Sequence, residues 1–238
     1  MIERSEGIED APVVTLSDER GLVTTSTSPA TRAHEAAGAP PGPVSGGRPL
    51  AWLLVLAGAL GLAASAILTL EKIRLLENPD YQPSCNINPI ISCGSVMRTP
   101  QASAFGFPNP FLGIAGFSAV IVIGVALLAG AAFRRWFWLG LQAGVVLGAV
   151  FVHWLIDQTL YHIGAVCPYC MLVWAATIPV FWYTTLHNVQ RGVIPVPGTW
   201  RPAVRAVARH HWLVPLAWYV LIALLILNRF WYYWRTLL

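Results

Sequence analysis

The chain has little charge. Only 11% of its 238 residues are Asp, Glu, Lys or Arg, whereas a soluble domain carries about 25%. Hydrophobic residues make up 56% of the chain, and the mean hydropathy is +0.59. This composition excludes a soluble globular enzyme and a wholly disordered chain. It also excludes a nucleic-acid binder despite the net charge of +4, because the Lys and Arg residues are scattered, with no basic run beside an aromatic surface.

Residues 1–48 lack long hydrophobic runs. They hold seven of the eleven acidic residues, and Ser, Thr, Pro, Gly and Ala fill most of the other positions. Such a segment cannot bury enough apolar surface to fold, so we predict a disordered tail. A signal peptide would place its apolar stretch within roughly the first 15–30 residues, and here the first long run begins only at Leu50. The tail is therefore expected to stay in the cytoplasm.

The rest of the chain is built from long apolar runs. A membrane-spanning helix needs about 20 apolar residues, and each run must be helical because lipid cannot bond to the backbone. Four runs reach this length without a charged residue, at 50–70, 109–133, 136–156 and 167–186. A shorter run at 212–228, extended by 230–234, predicts a fifth transmembrane helix within 212–238. The predicted fold class is an all-α integral membrane protein.

The arginines predict the orientation of these spans across the membrane. Cytoplasmic loops are rich in Arg and Lys, and one side of the predicted membrane carries the tail, the Arg134-Arg135 turn and a basic loop. The other side carries the outer loop 71–108 and a short turn. The predicted organisation is a tail (1–48), a four-helix domain (49–187), a basic cytoplasmic loop (188–211) and the fifth helix (212–238).

All four cysteines of the chain lie on the predicted outer side, where disulfides persist. Cys85 and Cys93 lie in the outer loop, and Cys167 and Cys170 form Cys-Pro-Tyr-Cys where the fourth span begins. Residues three apart at a helix start lie close enough for a disulfide. Free N–H groups and the helix dipole make such thiols acidic and reactive. The helix pair is therefore predicted to cycle between dithiol and disulfide, at a depth where a lipid-soluble oxidant can reach it.

The loop pair suits a different task. Seven residues separate Cys85 from Cys93, and they include Asn88-Pro89. We interpret this segment as flexible enough to let one sulfur reach another thiol, as each step of a disulfide relay requires. Electrons would then enter at the loop pair and leave at the helix pair. Two alternatives stay open: structural disulfides in a non-enzymatic transporter or assembly protein, and a four-cysteine zinc site.

The pattern resembles bacterial members of the vitamin K epoxide reductase family over residues 50–187. The resemblance rests on the Cys-x7-Cys loop after the first span and on the Cys-x-x-Cys at the fourth. It also rests on the intervening stretch Phe-Gly-Phe-Pro-Asn-Pro-Phe-Leu-Gly at 105–113. Membrane thiol oxidases of the DsbB type have the two cysteine pairs in the reverse order. The resemblance implies a four-helix bundle around a quinone, menaquinone or ubiquinone, with a fifth, peripheral helix outside it.

The resemblance also implies roles for the cysteines. Cys170 would face the quinone and bond to it transiently, and Cys167 would exchange with Cys93. Cys85 would exchange with a secreted thioredoxin-like protein of the DsbA type. The implied function is a thiol:quinone oxidoreductase that generates disulfides in a bacterial inner membrane, with its active site facing outwards. Membrane lipid is the other expected partner, and no metal or nucleic acid is expected.

Four further residues are candidates for the quinone pocket. Thr99 falls where the family has a Ser or Thr near the active site, and Asn109 where it has an Asn that bonds to a quinone carbonyl. Asn109 is equally plausible as a helix N-cap. Phe111 and Trp174 are apolar candidates for the pocket wall. Trp174 stands where animal members have Tyr, which weakens the case for vitamin K epoxide as a substrate.

His153 and Asp157 lie four residues apart near the outer end of the third span, and His162 follows in the outer turn. Quinone reduction consumes protons, and an ionisable residue at the end of a span is a functional candidate. The pair is therefore a candidate for proton delivery, with contacts to a neighbouring helix or to the membrane interface as the alternative.

Overall fold

The computed structural model describes residues 43–235, and almost all of its regular structure is helical. Four long helices dominate, and short helices and turns fill the connections. In chain order the elements are β1 (Val44–Ser45), α1 (Arg48–Glu77), α2 (Cys93–Met97), α3 (Pro110–Leu128), β2 (Ala132–Phe133), α4 (Arg135–Asp157), α5 (Pro168–Gln190), α6 (Arg201–Arg209), α7 (Leu213–Arg229) and α8 (Trp231–Trp234). A π-helical segment, Gln158–Ile163, continues α4.

Helices α1, α3, α4 and α5 are each long and apolar enough to cross a membrane, α4 together with its π-helical extension. The prediction of an all-α integral membrane protein is confirmed. A fifth crossing is counted only if Gly198–Arg209 and Leu213–Arg229, which meet at a bend of 72°, form one broken span. Within the predicted fifth helix at 212–238, the structure has α7 and α8 with a break at Phe230, and residues 236–238 lie outside the described residues. Its main part, α7, has 17 residues, which is less than the roughly 20 that a straight span needs.

Helices α1 and α3 pack closely because glycines face the partner helix. A Cβ added at Gly124 of α3 would lie 3.0 Å from both the Ala51 carbonyl oxygen and the Val55 nitrogen of α1. At Gly61 the ring of Phe117 occupies the space where a Cβ would project. Small residues at such crossings let helix backbones approach, which is how helices associate inside a bilayer.

A short antiparallel β-ladder stabilises the end of the bundle away from the cysteines. Val44 pairs with Phe133 and Ser45 with Ala132, so the chain before α1 is tied to the turn after α3. The indole of Trp138 in α4 also donates to the Val44 carbonyl over 3.1 Å. The tail predicted over 1–48 thus differs at its last residues, which join the fold because this ladder satisfies their backbone groups. Residues 1–42 of that prediction lie outside the described residues.

Helix α7 lies against α4 and α5. The Trp218 indole donates to His153 Nε2 over 2.8 Å, and the Tyr219 hydroxyl donates to the Ala175 carbonyl over 2.7 Å. Arg229 donates to the Leu160 carbonyl over 2.8 Å. The helix is therefore fixed to one side of the four-helix unit, the kind of peripheral position that the family resemblance implies.

Candidate functional site

Two chain segments far apart in sequence meet at the outer end of the bundle. Ser92 N donates to the Val166 carbonyl over 3.0 Å, and Val166 N donates to the Ile90 carbonyl over 2.7 Å. These two bonds make a parallel bridge between Ile91 and Val166. The residue that follows Ser92 is Cys93, and the residue that follows Val166 is Cys167. The bridge therefore holds the loop pair of cysteines beside the helix pair.

The sulfur atoms form a continuous series. Cys85 and Cys93 are joined by a disulfide, and Cys93 Sγ lies 3.0 Å from Cys167 Sγ. These three sulfurs all lie within 4.8 Å of one another. Cys167 and Cys170 are free thiols, and Cys170 N donates to Cys167 Sγ over 3.4 Å. The loop pair is oxidised and the helix pair reduced, with Cys93 and Cys167 at the junction.

The loop between Cys85 and Cys93 is more ordered than the sequence predicts. The side-chain oxygen of Asn88 accepts bonds from the backbone N–H groups of Ile90 and Ile91 at 3.0 and 2.7 Å. The side-chain oxygen of Asn86 accepts from Gly94 N over 2.9 Å. The Asn88 bonds are of the local Asx-turn kind, which stabilises a bend without regular secondary structure, and the Asn86 bond ties the two ends of the loop together. The disulfide is thus held in an ordered loop, with Cys85 5% and Cys93 0% exposed.

Cys167 is the N-cap of α5, and its sulfur accepts a bond from the Cys170 backbone N–H. Pro168 follows at the start of the helix, where its missing N–H costs no hydrogen bond. The Cys170 thiol donates to the Cys167 sulfur, and this bond lowers the pKa of the Cys167 thiol. Backbone bonds from Cys170 and Tyr169 act in the same direction against the opposing effect of burial. Cys167 is therefore the more readily ionised member of the pair, and it faces the disulfide.

This arrangement predicts how Cys167 titrates. In a chain with Cys85 and Cys93 both changed to Ala, the Cys167 thiolate should persist to lower pH than an ordinary thiolate, because its folded pKa is depressed. Cys170→Ala removes the main donor and should move the transition to higher pH, whereas Cys170→Ser keeps an O–H donor and should move it less. The ultraviolet absorbance of the thiolate, followed against pH, measures all three. Identical curves for the Ala and Ser variants would contradict the assigned cause.

Cys170 lines a cavity of about 450 Å³ between the four long helices, which residues of the outer loop also line. Small-molecule sites commonly have volumes of about 300–1,000 Å³ and mostly apolar walls. The wall here is largely aliphatic and aromatic, with Phe117, Phe151 and Trp174 among its residues. Besides Cys170, the polar or charged side chains that line it are Ser65, Lys72, Gln101, Asn109, Thr159 and Thr177. The cavity thus fits a flat apolar molecule that carries a few hydrogen-bonding atoms.

The structure places only some of the predicted pocket residues in this wall. Asn109 and Trp174 line the cavity, whereas Thr99 and Phe111 are absent from its lining. Thr99 donates its hydroxyl proton to the Val96 carbonyl over 2.8 Å, and Phe111 is 43% exposed on the outer surface of α3.

Asn109 is placed at the start of α3 but does not cap it by a side-chain bond. Its amide nitrogen donates to the Gln101 carbonyl over 2.7 Å, and its oxygen accepts from Ala104 N over 3.0 Å. The side chain therefore orders the loop that covers the cavity. One of its two N–H groups is left over from these bonds for a further acceptor.

His153 and Asp157 are not brought together. His153 Nδ1 lies 2.6 Å from the Ala149 carbonyl, and its Nε2 accepts from the Trp218 indole. Both ring nitrogens are therefore used for packing within α4 and against α7. Asp157 lies 3.7 Å from His162 instead, and both side chains are more than half exposed. The structure favours the structural alternative for His153, whereas a part of Asp157 in proton delivery stays a prediction.

Two residues of the site could not be identified from the sequence pattern. Lys72, the only lysine in the chain, lies in the cavity wall with its ammonium group donating to the Met97 carbonyl. Glu71 is buried and accepts a bond from Ser84, the neighbour of Cys85, over 2.9 Å. In the sequence these two residues stand out only as neighbours of opposite charge at the end of a long apolar run.

Zinc binding would need the loop disulfide to open. The sulfurs of Cys85, Cys93 and Cys167 are close enough for a shared metal ion. Zinc is bound by thiolates, and two of these three sulfurs are bonded to each other. The oxidised loop pair therefore presents the geometry of thiol–disulfide exchange in place of a zinc site.

The comparison with known families agrees with this geometry. The family model described as the vitamin K epoxide reductase family matches residues 52–185, which is more than half of the chain and includes all four cysteines. No curated protein matches the chain significantly. The match covers α3, α4 and most of α1 and α5, together with the outer loop. The chain therefore belongs to the vitamin K epoxide reductase family, whose members are thiol oxidoreductases.

Proposed function

We propose that the protein is a membrane thiol:quinone oxidoreductase that makes disulfides in a secreted, thioredoxin-like protein. The observation that supports it most directly is the sulfur series, in which Cys93 Sγ lies 3.0 Å from Cys167 Sγ and Cys170 opens into an apolar cavity. Electrons can pass along this series only by exchange between neighbouring sulfurs. The series runs from the outer loop to the cavity, which gives the transfer its direction.

The first exchange takes place at Cys85. A partner thiolate attacks Cys85 Sγ and breaks the Cys85–Cys93 bond, so that Cys93 leaves as a thiolate. The second partner thiolate attacks the partner's own sulfur in this mixed disulfide, which oxidises the partner and leaves Cys85 as a thiolate. Cys93 suits the role of leaving group because it starts α2, where N-terminal N–H groups favour a negative sulfur.

The second exchange moves the electrons inwards. Cys93 attacks Cys167 of an oxidised helix pair, and Cys170 leaves as a thiolate. Cys85 then attacks Cys93, which restores the loop disulfide and frees Cys167. These steps would end with the loop pair closed and the helix pair reduced, which is the arrangement of the cysteines in the structure.

The cavity supplies the place for the electron acceptor. A quinone supplies a two-electron, two-proton acceptor that is soluble in lipid, and the apolar wall fits its ring. Trp174 and Phe117 would enclose the ring, and Asn109 can offer an N–H group to a carbonyl oxygen. Lys72 adds a cation in the same wall, where it would favour negative charge on an oxygen or on the Cys170 sulfur.

The membrane placement follows from charge. The loops at the end away from the cysteines carry Arg134, Arg135 and the arginines of α6, and this excess favours the cytoplasmic side. The cysteines would then face outwards from a bacterial inner membrane, where a secreted partner and an oxidising environment are both available.

Anaerobic titration with quinone tests this function. The full chain, with all four cysteines reduced and placed in lipid nanodiscs, should reduce two quinones as it forms two disulfides. Cys170→Ser should reduce no quinone, because the sulfur that faces the cavity is gone. If the protein serves as a non-enzymatic assembly factor or transporter with structural disulfides, quinone will stay oxidised whatever the state of the cysteines, and the proposal fails.

A further inference from the structure

Helix α6 takes no part in the sulfur chemistry, and its surface is sharply divided. Arg201, Arg205 and Arg209 recur every four residues, so they follow one face of the helix, and all three are exposed. Ala203 and Val207 are exposed on the opposite face. A short helix with a cationic face and an exposed apolar face is typical of helices that lie on a membrane surface.

Within residues 43–235 the three arginines have no acidic partner. No Asp or Glu follows Asp157 in the sequence. Among the described residues the one ion pair joins Asp157 to His162, at the outer end of α4. No carboxylate of the described residues balances the charge of α6, so its cationic face is open to anionic groups of another molecule.

The position of α6 indicates that the helix lies at the membrane surface and not in the membrane interior. The axis of the segment Gly198–Arg209 is turned by 72° from that of α7. Three arginines would be costly at the centre of a bilayer. Exposed tryptophans flank the helix, with Trp200 64% and Trp212 54% exposed, and Trp is enriched where membrane meets water.

The end of α6 is also fixed to the transmembrane bundle. The Trp182 indole of α5 donates to the His211 carbonyl over 2.9 Å, and the Tyr183 hydroxyl lies 2.9 Å from His211 Nδ1. These contacts hold the arginines close to α5 at the end of the bundle opposite the cysteines. They therefore set both the height and the direction of the helix.

We propose that α6 is a docking surface for anionic phospholipids. Phosphate groups of the lipids pair with Arg201, Arg205 and Arg209, and Val207 with the flanking tryptophans contacts the upper acyl chains. The apolar contacts select a lipid over a free phosphate ion, because only the lipid supplies both chemistries.

Lipid retention by the full chain tests the proposal. Detergent-purified protein is titrated with phosphatidylglycerol or phosphatidylcholine, and retained lipid is counted by native mass spectrometry. The triple variant R201Q/R205Q/R209Q should bind phosphatidylglycerol roughly 100-fold more weakly, and phosphatidylcholine with little change. The matched control R48Q/R134Q/R191Q removes the same charge at the same end of the bundle and should keep most of the preference.

Other outcomes would overturn the proposal. Equal loss in both triple variants would mean that diffuse charge attracts the lipid and that α6 has no special role. Displacement of phosphatidylglycerol by inorganic phosphate in the millimolar range would mean a free-anion site. Val207→Asp, which leaves the arginines in place, should also weaken retention, and an unchanged affinity would remove the apolar contact from the proposal.

Discussion

Replacing Cys170 by Ser is expected to move the loop disulfide from Cys85–Cys93 to Cys93–Cys167 and to stop turnover completely. Cys167 Sγ lies 3.0 Å from Cys93 Sγ, and its thiol is acidified. The Cys167 thiolate attacks Cys93, and Cys85 leaves as a thiolate. In the native chain Cys170 can resolve this bond by attacking Cys167, but a Ser hydroxyl cannot. The Cys93–Cys167 bond therefore accumulates.

Mass-spectrometric disulfide mapping in the presence of an alkylating reagent measures this rearrangement. The reagent should modify Cys85 as it is released, which prevents the return to Cys85–Cys93. Cys167→Ser is the matched control, because it keeps Cys170 but removes the attacking sulfur, and its Cys85 should stay protected. If the Cys170→Ser chain keeps an intact Cys85–Cys93 bond and an unmodified Cys85, exchange between Cys93 and Cys167 is not part of the mechanism.

The membrane fold could be predicted from sequence because bilayer physics leaves few choices. Uncharged apolar runs of spanning length had to become helices, and α1, α3, α4 and α5 lie close to the four long runs. The fifth run was harder to interpret, since its boundaries depend on where Trp and Arg residues settle at the interface. The basic loop was predicted without its helix, because α6 is short and its pattern of arginines also suits a solvated loop.

The candidate site was predictable mainly in its sulfurs, and of the four predicted pocket residues only Asn109 and Trp174 line the cavity. Cysteine spacing and sidedness pointed to two pairs, but spacing carries no information about the bridge between Ile91 and Val166 that aligns them. The residues of the cavity wall were harder to predict, because residues that face the cavity and residues that face lipid are equally apolar. Phe111 and Phe117 look alike in sequence, and only Phe117 turns inwards. Lys72 and Glu71 were overlooked because they lie beyond the uncharged part of their run.

Replacing Cys85 by Ser is expected to abolish oxidation of a thioredoxin-like partner while leaving oxidation of a small dithiol measurable. Cys93 is engaged with Cys167, so Cys85 is the end of the sulfur series that a protein partner must attack. A Ser at this position provides no disulfide for that attack. A small membrane-permeable dithiol can instead reach Cys170 through the cavity and reduce the helix pair directly.

The two substrates should be compared in the same nanodisc preparation, with quinone reduction as the readout for both. Ile87, which is 70% exposed two residues from Cys85, offers a matched control. Ile87→Asp keeps every sulfur but places a charge on the outer surface of the loop. It should raise the KM for the protein partner and leave the rate with the small dithiol unchanged. Partner oxidation at the native rate by the Cys85→Ser chain would show that electrons enter elsewhere, because that chain has no Cys85 sulfur for a partner to attack.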